Sequence, residues 1–97
     1  MQQAICDAIE AHHLLKLDYG GTARIVEPHI YGHDSHGHEL LSAYQVSGGS
    51  LSGEHSGWKL FDLTKVGDLR VLSTRFRKPR AAYNPGDRTF RAVYSRL

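Results

Sequence analysis

The stretch Leu15-Lys16-Leu17-Asp18-Tyr19-Gly20-Gly21-Thr22 constrains the fold more than any other part of the chain. Apolar and charged side chains alternate from Leu15 to Tyr19, the two-residue period that sends successive side chains to opposite faces of a strand. Two glycines follow directly. Gly-Gly accepts positive φ at both central positions of a two-residue loop, so the chain turns back at once into a hairpin. Thr22–Gly32 is extended again, and Pro28 within it ends regular pairing or marks a sheet edge, because it has no amide N–H to give to a ladder.

Ahead of this hairpin, Ala4, Ile5, Ala8 and Ile9 recur at i, i+3, i+4, which predicts a short helix over about 3–12. Its apolar face, Ile5, Ala8 and Ile9, is expected to pack on strands that carry Leu17, Leu41 and Leu63. After it, "HELLSAYQVS" predicts a strand with Leu41, Ala43 and Gln45 on the face opposite Leu40 and Tyr44. "GGSLSGEHSG" is a Gly/Ser-rich loop. "WKLFD" starts another strand, 62–68 is a turn or short helical segment, and further strands are expected over 68–72 and 90–94. One helix and five or six short strands in 97 residues predict a single domain that is mainly β (α+β), a small, strongly bent β-barrel or sheet with one N-terminal helix.

Composition narrows the function classes. No apolar run approaches the roughly 20 residues that span a bilayer, and the N-terminus has no basic-then-apolar leader pattern. No membrane partner is therefore expected. The single cysteine, Cys6, excludes an internal disulfide and fits a reducing, cytoplasmic setting. The net charge of +2 hides a division: residues 1–56 hold two bases against seven acids, and residues 57–97 hold ten bases against three acids. A basic half of this kind marks a surface for nucleic acid or another polyanion, or else a solvated basic tail. No nucleophile elbow, phosphate loop or HExxH motif is present, so neither an enzyme nor a cofactor is expected.

The order of the motifs resembles the WYL domain, the ligand-sensing module of bacterial transcription regulators. The resemblance rests on "LLKLDYGGTARIVEP", with Tyr19 and Arg24-Ile25-Val26-Glu27-Pro28. It continues through "GHELLSAYQ", where Glu39-Leu40-Leu41 stands in the naming position and Ala43-Tyr44 follows, and through "WKLFDLTKVGDL" to Phe76. It covers about residues 4–76 and leaves 77–97 as a basic C-terminal extension. The chain departs from the pattern at Glu39 and Leu40, where Trp and Tyr name the family, and at Lys65, where an Arg is usual. The resemblance implies an SH3- or Sm-like barrel and a regulatory module that binds a nucleic-acid strand or a nucleotide-like ligand. Such a module is either stand-alone or a part of a longer regulator.

Candidate ligand contacts follow. Arg24 is an anion contact by the resemblance, since a guanidinium offers paired donors to phosphate; the alternative is an ion pair with Glu27 or Asp62. Lys59 and Lys65 are candidate phosphate contacts, and Tyr44 is a candidate stacking surface for a base. Phe61 shares a strand face with Lys59 and belongs to the core, and Trp58 is a stacking surface or a lid on the barrel end. Arg75 and Arg77, in "RFRKPR", would add sequence-neutral phosphate contacts. His33, His36 and His38 raise the question of a metal. A closed site normally takes four ligands with supporting partners, whereas Asp34-Ser35 and Gly37 are ordinary turn chemistry. The stretch reads as a polar hairpin tip that binds nickel or zinc at most adventitiously. The competing reading for the whole chain is a protein-interaction module, a homo-oligomer or the partner of a regulator, using an exposed sheet edge or the Gly/Ser loop.

Overall fold

A computed structural model describes residues 2–97. The elements are α1 (Gln3–Ala11), β1 (His13–Tyr19), β2 (Thr22–His33), β3 (Glu39–Gly48), β4 (Gly57–Asp62), a 3₁₀ turn (Leu63–Lys65), β5 (Val66–Arg75) and β6 (Ala92–Arg96). The protein is mainly β with one short N-terminal helix. All strand pairs are antiparallel, in the order β4-β3-β2-β1-β5, with β6 added on β2. The path does not return on itself: among the described residues β4 pairs only with β3, and β5 only with β1. The 3₁₀ turn links these two open ends.

A nine-residue helix is too short to be stable alone, so packing must hold it. Ile5, Ala8 and Ile9 supply that packing, in one buried cluster with Leu15, Leu17, Val26, Tyr31, Leu41, Phe61 and Leu63. The helix ends at His12, whose left-handed backbone (φ 61°) lets its N–H reach the carbonyls of Ala8 and Ile9. The ring of His12 then stacks on Phe76, 5.2 Å away.

The Gly-Gly turn behaves as its chemistry requires. Gly20 and Gly21 take φ of 60° and 78°, and Tyr19 pairs with Thr22 across the loop. On one edge β2 pairs with β3 along its length. On the other edge it pairs with β1 as far as Val26 and with β6 from Ile30 onward. Pro28 lies in the interval between those partners, where a missing N–H costs no ladder bond, and the β3 register shifts between Pro28 and Ile30. Pro28 therefore marks the change of partner within a long strand rather than its end.

The inner face of β3 is the expected one: Leu41, Ala43 and Gln45 are fully buried. Its other face is covered as well. Leu40 joins Ile30 and Phe90 in a second apolar cluster, with Tyr83 packed against it. The cover is the C-terminal segment, so a solvated tail is not what the basic extension forms. The Phe76 N–H donates to the His12 carbonyl, the Arg91 N–H to His33 and the Leu97 N–H to His29. The last strand lies at 92–96, two residues beyond its expected position, and β5 is longer at both ends than 68–72.

Candidate functional site

The β3–β4 register sets Tyr44 directly opposite Trp58 on the outer face, and their rings meet edge to face at 5.8 Å. Beneath Trp58 lies His29, with no exposed surface, 4.6 Å from the Trp58 ring, 5.2 Å from Tyr83 and 5.7 Å from Phe76. The C-terminal segment crosses this cluster as a strap. The Arg80 N–H donates to His29 Nε2 (3.1 Å), which leaves Nδ1 to carry the proton and donate to the Glu27 carbonyl (2.7 Å). The Arg80 guanidinium grips Glu27 with two bonds, 2.7 Å to Oε1 and 3.2 Å to Oε2, and lies 4.3 Å from the centre of the Tyr44 ring. Trp58 Nε1 donates to the Ala81 carbonyl. The next residue, Ala82, has φ of 69°, a conformation that L side chains disfavour.

Burial pushes the His29 imidazole below its ordinary value, against the opposing pull of the Glu27 carbonyl bond and carboxylate. The hydrogen bonds that Arg80 donates to the Glu27 carboxylate raise the guanidinium above its ordinary value, so it stays charged under all ordinary conditions.

Beside the strap opens a cavity of about 350 Å³. Trp58 and Tyr83 form its aromatic side, with planes 16° apart and centroids 6.5 Å apart, and Lys59, Leu60, Asn84, Asp87 and Thr89 are among the residues that complete it. On the other side of the strap a second concavity is lined by Glu27, Phe76, Arg77 and Lys78. Aromatic surface and unpaired cations thus meet along residues 76–91.

The six expected contact residues do not converge. Tyr44 is half-buried and belongs to this face through Arg80, and Arg77 is exposed beside it. Arg75, at the end of β5, is exposed and its Nε lies 3.4 Å from His13 Nε2. Arg24 points inward, 4% exposed, with Nη2 donating to the Tyr19 carbonyl, Nε to Thr22 Oγ1, and Cζ against the Tyr19 and Phe61 rings. It pairs with neither Glu27, which Arg80 holds, nor Asp62, whose carboxylate caps Thr64. Lys59 lines the aromatic cavity, with its ammonium turned to the Glu54 carbonyl (2.8 Å) and Ser50 Oγ. Lys65 stands exposed on the 3₁₀ turn beside Asp62. Arg80, Tyr83 and His29 are the residues that sequence reasoning missed. Arg80 lies within the basic run Arg75–Arg80, but nothing local ties it to Glu27.

At the histidine stretch, Asp34 Oδ1 accepts the N–H groups of His36 and His38, and Oδ2 meets His38 Nδ1 at 3.0 Å. Partial desolvation raises the Asp34 carboxyl, but the bonds from His38 and His36 outweigh it and hold the group below the usual range. The carboxylate thus organises a turn, and no group of three metal-ligating side chains converges among the described residues. Among the described residues no helix is long and apolar enough to cross a membrane. No family model matches the chain, and no curated protein or solved structure matches it.

Proposed function

We propose that the protein is a regulatory ligand-binding module that takes a single-stranded nucleic acid or a nucleotide-like anion on the strap face. The observation that carries this reading is the cavity walled by Trp58 and Tyr83, with the exposed cations Arg75, Arg77 and Lys78 along the same segment. Aromatic rings stack any base, and cations follow the phosphates without reading sequence. The motif order that resembles WYL domains supports the same reading and suggests service in bacterial transcription regulation. The proposed face differs from the one that resemblance implies, since it leaves out Arg24 and Lys65 and adds Trp58, Lys78 and Tyr83. Fluorescence anisotropy with labelled single-stranded DNA and RNA tests it. Arg77→Ala with Lys78→Ala should weaken binding at least tenfold, about 1.4 kcal/mol, with an unchanged circular dichroism spectrum. Equal affinity for the double variant and the native chain would refute the proposed face.

A specific observation favours a second reading, self-association or docking of a partner strand. The open edge strands β4 and β5 each carry a large exposed apolar side chain, Leu60 (49% exposed) and Val71 (41%). Sizing chromatography over a range of concentrations tests it, and a monomer throughout would remove the self-association form.

A further inference from the structure

We infer that the strap face holds a mononucleotide subsite, with a donor-bearing ring such as guanine in the Trp58–Tyr83 cavity and its phosphate on Arg88 and Arg91. This inference rests on the binding reading above and gives it a defined ligand. A third concavity, lined by Ser35, Arg88, Thr89, Phe90 and Arg91, adjoins the aromatic cavity, and Thr89 lines both. Neither the Arg88 nor the Arg91 guanidinium has a partner among the described residues, and both side chains are exposed. Two free forks at a shallow hollow suit a phosphate dianion.

Orientation follows from Asp87. Its Oδ1 accepts the Thr89 N–H (2.9 Å), which fixes the carboxylate at the cavity wall, and its Oδ2 has no partner among the described residues. The Asp87 carboxylate repels phosphate, and the one cation in the cavity lining, Lys59, has its ammonium on the Glu54 carbonyl and Ser50 Oγ, so the anionic end of a nucleotide is favoured on the arginine side. The same carboxylate accepts from ring N–H and NH₂ groups, and guanine presents the two side by side. Uracil offers a single ring N–H flanked by two carbonyl oxygens, which a carboxylate repels. The ligand class is therefore a guanine nucleotide read through its N–H and NH₂ edge.

Trp58 is the only tryptophan, so its emission reports the cavity directly. The full chain is titrated with guanosine monophosphate, guanosine and uridine monophosphate, and separately with a single-stranded oligonucleotide. Guanosine monophosphate should bind at least tenfold more tightly than guanosine, and Arg88→Ala with Arg91→Ala should erase that difference. Asp87→Asn keeps an acceptor for the Thr89 N–H. It should weaken guanosine monophosphate at least fivefold without weakening uridine monophosphate. Equal binding of nucleotide and nucleoside, a double variant that keeps the difference, or an indifferent Asp87→Asn would each overturn the subsite. Binding of the oligonucleotide with no mononucleotide binding would overturn the subsite and leave the broader reading intact. Absence of all binding would overturn both.

Discussion

Replacing His29 by Phe separates the strap's hydrogen bonds from its packing. The ring volume and the stacking against Trp58, Phe76 and Tyr83 survive, while the Arg80 N–H loses its acceptor and the Glu27 carbonyl its donor. The buried Glu27 carbonyl left unpaired costs about 1–3 kcal/mol, while the Arg80 N–H, on an exposed residue, can turn to water, so His29→Phe should lose about 1–3 kcal/mol at about pH 7.5. The loss should depend on pH. His29 is held neutral by burial, with Arg80 and His12 also opposing its charge and Glu27 favouring it, so its folded pKa lies below the ordinary 6.5. A histidine shifted down contributes stability that is complete above its unfolded pKa of about 6.5. That stability is lost as pH falls toward the folded value, by up to about 1.4 kcal/mol per pH unit. The variant lacks this dependence. Urea unfolding followed by far-ultraviolet circular dichroism should therefore give a gap between native and variant that narrows between about pH 7 and about pH 5. A gap that stays constant with pH would refute the assignment of Nε2 as a neutral acceptor for the strap.

Two further perturbations test the frame. Ile9→Asp puts a charge into the fully apolar contact between α1 and the sheet, and should cost about 3–5 kcal/mol in thermal unfolding. Unchanged stability would show that the helix does not dock through that face. A methyl at Gly32 would overlap the Ala92 carbonyl oxygen and crowd Val93 Cα, so Gly32→Ala should release β6. Hydrogen exchange should quicken at Val93–Arg96 and stay slow in β1 and the first half of β2; continued protection of β6 would contradict its pairing with β2.

Much of this frame is legible in the residues. The Leu15–Tyr19 alternation and Gly20-Gly21 specify the hairpin, and Ile5, Ala8 and Ile9 specify the helix face, because local period and turn chemistry act within a few residues. The same period contains a signal that Arg24 points inward: it shares a face with Val26 and sits opposite Leu17. The strap was not legible. Glu27 and Arg80 are 53 positions apart, and no local pattern marks a buried carboxylate that needs a distant cation. His29 escaped for another reason. The register shift between Pro28 and Ile30 breaks the two-residue period there, so counting along the strand does not assign its face. Phe90 stands in a basic segment between Pro85-Gly86 and β6, and only its place against Ile30 and Leu40 reveals a second apolar cluster.

The central claim, that the strap face binds a strand through stacking and phosphate contact, is tested most directly by quenching of Trp58 emission with a single-stranded oligonucleotide at two salt concentrations. Stacking at the cavity should quench the emission in a saturable way. Three phosphate contacts, from Arg75, Arg77 and Lys78, should weaken the affinity roughly 20-fold between about 50 mM and about 200 mM salt. Saturable strand binding by anisotropy with Trp58 emission unchanged would contradict the claim, because the strand would then lie away from the Trp58–Tyr83 cavity.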